Sequence, residues 1–233
     1  SVRAVKQIVI VGAGGFGREA AWVVERINAA APQFKLLGFC DDAADKRTGQ
    51  YGGYPLLGPL SGVKARRDAV GFFCAIGNNR VRRDVFAEGR ALGLEPVSLI
   101  DPSAVIAPDV EIGRGSFVGV NSVVSVGASL GEGVLVNHQV CVGHDAQIGD
   151  FAQLCPGVCV SGGCEVGEGA LLGTLAGTIP LKHVGAWATL GAGNVALRDV
   201  AEGRRSCGLL RGDYCDHAVV AMTSIKTSEK GGH

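Results

Sequence analysis

The sequence predicts an α/β domain of the Rossmann-like kind over residues 1–100, followed by a left-handed parallel β-helix over residues 101–215 and a tail over 216–233. Three observations predict it. From Ile106 to Leu190 every sixth residue is a large aliphatic, Thr178 alone excepted. The residue four later is small or β-branched at every step except Lys182. Ahead of this stretch, a short apolar run leads into Gly12-Ala13-Gly14-Gly15-Phe16-Gly17 and then into a helix-like pattern.

A six-residue period is the mark of a β-solenoid. Each hexapeptide supplies one short strand and one turn, and three hexapeptides close a coil. The glycines of Ile112-Gly113, Leu130-Gly131, Ile148-Gly149, Val166-Gly167 and Val184-Gly185 mark that coil period of eighteen. The aliphatic turns inward and stacks on its equivalents above and below. The small residue turns inward where little space remains. Stacked coils hydrogen-bond as parallel strands about 4.8 Å apart. Hexapeptide coils wind left-handed, against the usual right-handed crossover rule. Thr178 and Lys182 break the pattern together and predict a local distortion of one coil.

The elements of the first hundred residues follow in order. Residues 7–12 (QIVIVG) read as a buried parallel strand. The G-x-G-x-x-G run comes next. Residues 18–31 read as a helix with Ala20, Ala21, Val23, Val24 and Ile27 on its apolar side. Residues 34–40 form a second strand ended by Asp41-Asp42, and residues 72–76 a third ended by Gly77-Asn78-Asn79. Residues 81–92 form a helix carrying Arg82 and Arg83, and residues 97–100 a last strand leading into the solenoid. Strand before, helix after and acids at the next strand end are the context in which such glycines cradle a phosphate. The stretch between Asp42 and the solenoid is too short for the second half of a dinucleotide fold. This favours a nucleotide diphosphate over a nicotinamide cofactor, with a purely structural glycine turn as the remaining alternative.

Composition bounds the partners. Lys+Arg and Asp+Glu are 22 each, so no basic field points to nucleic acid or to an anionic membrane. No apolar run is long enough to span a bilayer and no signal peptide is readable. The eight cysteines, at 40, 74, 141, 155, 159, 164, 207 and 215, contain no CxxC pair or zinc spacing. A cytoplasmic protein with reduced thiols and no metal is expected. Cys164 fills an inward slot as a small hydrophobe.

Five histidines occur, at 138, 144, 183, 217 and 233. His144 follows inward Val142 by two, so it stands outward on a corner. One coil on is Gly162, within Ser161-Gly162-Gly163, which leaves backbone uncovered beside the imidazole. A base next to an open N–H is what acyl transfer requires. Asp145 is placed to orient the ring. The alternative is a solvated surface pair. His138 lies on another corner, structural or lining the substrate, and His183 follows the broken repeat. Cys141 and Cys155 are the nearest thiols and neither has a cationic neighbour in sequence, so no covalent nucleophile is expected. Phe117, Phe151 and Trp187 read as outward on the coils, too many large apolar groups for a bare monomer surface, and with the family resemblance given below this implies a closed homotrimer.

Residues 9–17 (VIVGAGGFG), 39–42 (FCDD), 75–79 (AIGNN), Pro102-Ser103, Asn137-His138 and 142–150 (VGHDAQIGD) together resemble the sialic acid O-acetyltransferase and bacillosamine and perosamine N-acetyltransferase family. The resemblance runs from about residue 6 to 213. It implies a nucleotide-sugar site in the first domain and acetyl-CoA held between neighbouring solenoids of a trimer. It implies substrate contacts at Gly14, Gly15, Phe16, Gly17, Asp41, Asp42, Gly77, Asn78, Asn79, Arg82 and His138. It implies coenzyme contacts at Gly162, Gly173, Thr174, Gly191 and Ala192. His144, Asp145 and Gly162 become the catalytic set of an acetyl-CoA-dependent N-acetyltransferase acting on a nucleotide-linked amino sugar. Asp101 stands where relatives often have histidine before Pro-Ser, and Gln153 where some place a second histidine near the coenzyme. Three other readings stand beside this one: sugar O-acetylation, nucleotide-sugar binding without catalysis, and a γ-carbonic-anhydrase-like metalloenzyme. The last needs three converging histidines, and no solenoid histidine precedes His138.

Overall fold

The computed structural model describes residues 5–42, 53–65 and 70–207. Four parallel strands open the chain: β1 (Lys6–Val11), β2 (Phe34–Cys40), β3 (Gly71–Cys74) and β4 (Glu95–Pro96), in the order β2-β1-β3-β4. Helix α1 (Gly15–Ala30) joins β1 to β2, and α2 (Asn79–Ala91) joins β3 to β4. Ile8, Val9, Ile10 and Val11 are all buried, because β1 is central and covered on both faces. Helix α1 buries the alanine, valine and isoleucine side chains that the sequence pattern selects. Helix α2 starts at Asn79, two residues before the expected position. The reason is a cap: the Asn78 side chain accepts from the N–H groups of Arg80 and Val81. The last expected strand divides, with Glu95–Pro96 closing this sheet and Leu99–Ile100 pairing with Phe117–Val118 in the first coil.

The solenoid has three faces, each a parallel sheet of two-residue strands spaced eighteen apart, except that Arg205–Ser206 follows its partner Thr189–Leu190 by sixteen. One face of seven strands begins at Leu99–Ile100, one of six at Val105–Ile106 and one of five at Glu111–Ile112. The period-six aliphatics fill the core, with Val136, Val142, Leu154, Val160, Leu172 and Leu190 wholly buried. This is the left-handed parallel β-helix expected from the hexapeptides. At Thr178 the coil keeps its course, but one ladder bond changes hands. Ser161 N–H donates to the Thr178 hydroxyl at 2.9 Å, and the Ser161 hydroxyl donates to the Thr178 carbonyl.

The turns carry a second interlock. Asp145, Phe151, Leu175, Leu181 and Trp187 sit at one repeating position with positive φ. Each lays its side chain where the Cβ of a residue eighteen earlier would stand, and that residue is glycine: Gly127, Gly133, Gly157, Gly163 and Gly169.

The first domain lies over the seven-stranded face, and the expectation about outward aromatics is corrected there. Phe117 is wholly buried, with its ring 5.3 Å from Phe16 and 5.9 Å from Phe73. Phe151 is buried against Phe86 at 5.2 Å, and Trp187 is covered by the guanidinium of Arg80 at 4.2 Å. These three rings are the seam between domains of one chain, so they give no reason for a trimer. Asp101 locks the other end of the seam. It is 1 % exposed and accepts from Arg26 Nε at 2.6 Å and from the Ser103 N–H at 2.8 Å. Burial pushes the Asp101 carboxyl up, but the bonds from Arg26 and Ser103 outweigh it and hold the group below the usual carboxylate range. The expected tail, with Cys215, His217 and His233, lies outside the described residues.

Candidate active site

The carboxyl ends of β1 and β3 meet at the point where the strand order reverses, the usual place for a ligand in an open α/β sheet. A cleft of about 280 Å3 opens there, lined by Val11, Gly12, Cys40, Asp41, Asp42, Leu60, Ile76, Val81, Val85 and Glu88. Three carboxylates beside an aliphatic wall suit the hydroxyls and base of a nucleoside. Glu88, Val81 and Val85 were not among the sequence candidates. Their spacing on α2 shows only that they share a helix face, and the cleft it borders is set by the tertiary fold.

Gly14 and Gly15 stand at the start of α1 with open space where a side chain would be. The Ala13 N–H donates to Asp41 Oδ2 at 2.9 Å and fixes the turn to the end of β2. Gly17 has a different task from the one expected. A Cβ there would collide with the Gly12 carbonyl, so this glycine lets helix and strand approach. The Phe16 ring is likewise spent on Phe73 and Phe117. Gly15→Val should therefore fold normally and obstruct only a diphosphate. The expected result is a raised KM for the nucleotide sugar with acetyl-CoA affinity unchanged. Loss of coenzyme binding with sugar binding intact would reverse this division of labour.

Arg82 and Asn79 leave the substrate list. Arg82 is wholly buried and donates to the carbonyls of Gly133 at 3.0 Å, Ile76 at 2.9 Å and Phe151 at 2.6 Å. Burial pushes its guanidinium down to about 10, still protonated at neutral pH. Asn79 donates to the Gly169 carbonyl at 3.0 Å and accepts from Arg82. Both are rivets between domains. Asn78 caps α2, and Gly77 beside it is exposed.

His144 stands at the corner between the six- and five-stranded faces, and both it and Asp145 are exposed in the single chain. Its Nδ1 lies 2.9 Å from Asp145 Oδ2. With the carboxylate accepting from Nδ1–H, Nε2 carries the lone pair. Glycines make room on both neighbouring coils: a Cβ at Gly127 would strike the Asp145 carboxylate, and one at Gly162 would strike His144 Nε2. The Gly162 N–H donates to nothing among the described residues. At two of the equivalent turn positions a side chain one coil on takes the N–H: that of Val120 donates to His138 Nδ1 at 3.0 Å and that of Glu132 to Asp150 at 2.8 Å. One coil on from Gly162 is Pro180, which has no acceptor side chain.

His138 is on the corner that the first domain reaches. Its Nδ1 accepts from Val120, its ring is 6.2 Å from Trp22, and its Nε2 is 3.8 Å from Glu19 on α1. Gly173, Thr174, Gly191 and Ala192 follow on that same corner, one six-stranded face away from His144. Within one chain, then, the glycine turn and four of the five expected coenzyme contacts share an edge with His138, while the fifth, Gly162, lies with His144 and Asp145 on the opposite edge of the six-stranded face.

A small doubly wound α/β domain seated on a left-handed β-helix, with an oriented histidine beside an open backbone N–H, has the architecture of a hexapeptide acyltransferase. The PglD N-terminal domain family matches residues 7–88. A His→Asn variant of perosamine N-acetyltransferase from Caulobacter crescentus, in complex with CoA and GDP-perosamine, is similar with a TM-score of 0.79 and 29% identity, over 90% of this chain and 99% of that one. The acetyltransferase domain of PglB from Neisseria gonorrhoeae, in complex with acetyl coenzyme A, has a TM-score of 0.78 and 32% identity over 87% of this chain and 96% of that one. WeeI from Acinetobacter baumannii has a TM-score of 0.78 and 27% identity over 88% and 97%. Comparison with curated proteins finds no match. The chain belongs to the bacillosamine and perosamine N-acetyltransferase family, and it is an acyltransferase. Among the described residues no helix is long and apolar enough to cross a membrane, and no group of three or more His, Cys, Asp or Glu is placed to hold a metal.

Proposed function

We propose that this acyltransferase moves the acetyl group of acetyl-CoA onto the amine of a nucleotide-linked 4-amino-4,6-dideoxy sugar, such as GDP-perosamine or a UDP-linked relative, for a bacterial surface glycan. The observation that carries this is the corner itself: His144 with Nδ1 on Asp145, Nε2 free, and the unpaired Gly162 N–H one coil on. In support, one relative holds CoA together with GDP-perosamine. The amine nitrogen attacks the thioester carbonyl. His144 Nε2 takes the ammonium proton, the Gly162 N–H holds the oxyanion, and the C–S bond breaks to release CoA as its thiol. A screen of nucleotide-linked amino sugars for free-thiol release tests it, and no release with any of them defeats it.

We infer a homotrimer from a different surface than the buried aromatics. The outward row of the six-stranded face runs Val105, Val123, Cys141, Cys159, Gly177, Val195, without a charge. The five-stranded face carries Glu111, Ser129, Gln147, Glu165 and His183 instead. A closed cyclic contact brings one edge of a face against the opposite edge of its neighbour. That would set the glycine turn and coenzyme row of one subunit against His144 of the next, which a single chain does not do. The prediction is complementation. His144→Ala and Gly15→Val, each inactive at low substrate, should regain about a quarter of wild-type activity when mixed and reassembled, because each mixed trimer holds one intact site. A monomeric mass, or no recovery from mixed trimers, would defeat the shared site.

A further inference from the structure

Among the described residues, one side-chain oxygen is buried with no hydrogen-bond partner, Oε1 of Gln153. Gln153 points outward from the seven-stranded face, in register with Leu135 on one side and Leu171 on the other. Its amide nitrogen reaches only Cys155 Sγ, at 3.8 Å. Native proteins rarely leave a buried carbonyl unpaired, and where they do a ligand is a common reason.

The surroundings say which ligand. Helix α1 is fixed to the early coils at its carboxyl end by Arg26 on Asp101, and passes His138 nearer its start, through Trp22. Helix α2 is fixed at its start to Gly169 through Asn79, and near its end to Glu132 through Arg90. Both helices therefore aim their N-termini toward later coils, and the carboxyl ends of β1 and β3 go with them. Gln153 lies in the coil beneath that edge. A carbonyl repels a diphosphate and cannot act as a base at neutral pH. It can only receive an N–H or O–H from the non-phosphate end of whatever sits above.

We propose that Gln153 is a substrate-binding residue whose amide oxygen accepts an N–H from the sugar's amino group, turning the nitrogen lone pair toward the thioester. This rests on the nucleotide-amino-sugar reading above. It assigns Gln153 no part in proton removal.

The test is Gln153→Met, which keeps the length and removes the carbonyl. Because an unpaired buried group is being replaced by an apolar one, the free protein should melt at the same temperature or higher. The KM for the nucleotide-linked amino sugar should rise about tenfold, the net loss of one buried hydrogen bond. The KM for acetyl-CoA and the affinity of the sugar-free nucleoside diphosphate should stay within about twofold. A lower melting temperature, or failure to fold, would show that the carbonyl is satisfied in the free protein and overturn the proposal. An unchanged sugar KM overturns it too, as does a rise confined to acetyl-CoA. If instead wild-type protein releases no thiol with any nucleotide-linked amino sugar, the underlying reading fails with it. An active wild type with an indifferent variant sinks Gln153 alone.

Discussion

Replacing His144 with alanine should lower kcat by about 10²–10⁴-fold, the range of a positioned general base. An amino sugar is mostly protonated at neutral pH, so attack on the thioester needs a proton to leave, and an imidazole is suited to take it. The structure sharpens the expectation. His144 is exposed in the chain and its ring meets only Asp145 and the gap left by Gly162, so removing it opens no core cavity. Stability should change by under about 1 kcal/mol. Asp145→Asn should fall between wild type and His144→Ala, since it disturbs the ring's orientation and leaves the base in place. His138→Ala is the control, with under about tenfold loss expected in kcat. It frees the Val120 N–H and a contact with α1, so its cost should appear in melting temperature. Steady-state kinetics at saturating substrates decide the matter. A His144→Ala enzyme that keeps more than about a tenth of wild-type kcat removes the base from this corner. A dead His138→Ala enzyme moves the chemistry to the corner one hexapeptide earlier, beside the glycine turn of the same chain.

The second large effect is structural. Arg82→Met should destabilise the protein by about 3–5 kcal/mol, because it strips the donor from buried carbonyls that nothing else can reach. Gly133, Phe151 and Ile76 would each lose a bond, and two of these carbonyls belong to the solenoid. The first domain should then melt in its own transition ahead of the β-helix, seen as two peaks in calorimetry. Arg82→Lys should rescue little, since one ammonium cannot span three carbonyls set around a planar fork. A single transition at the wild-type temperature would mean that the aromatic seam alone carries the coupling.

Much of this was legible in the sequence because the solenoid writes its geometry with a fixed period. The inward aliphatics give the core, and counting eighteen from His144 reaches Gly162 without knowledge of any coordinate. The strand–glycine–helix context gave the open turn between β1 and α1 in the same way. What lay beyond reach was the docking of one unit on the other. Phe117, Phe151 and Trp187 stand on the outside of the coils, and only the arrival of the other domain buries the two phenylalanines and partly covers the tryptophan. Arg82 lies on a polar helix near a glycine-rich edge and therefore resembles a phosphate ligand. Its true partners, Gly133 and Phe151, are separated from it by 51 and 69 residues. Gln153 looks like any polar residue on a solvated face until its oxygen is found covered and unpaired.

The interlock between coils has a consequence for how such a chain can change over generations. Asp145 over Gly127, Phe151 over Gly133 and Trp187 over Gly169 are halves of joints, each split across two coils. A duplicated or transplanted coil would preserve the core spacing and still bring a large side chain against one that has not made room. The solenoid is thus a chain of dovetails whose units are not interchangeable bricks. A glycine that acquires a side chain here must be answered by a smaller residue eighteen positions later, or the lineage loses the turn that carries His144 and Asp145.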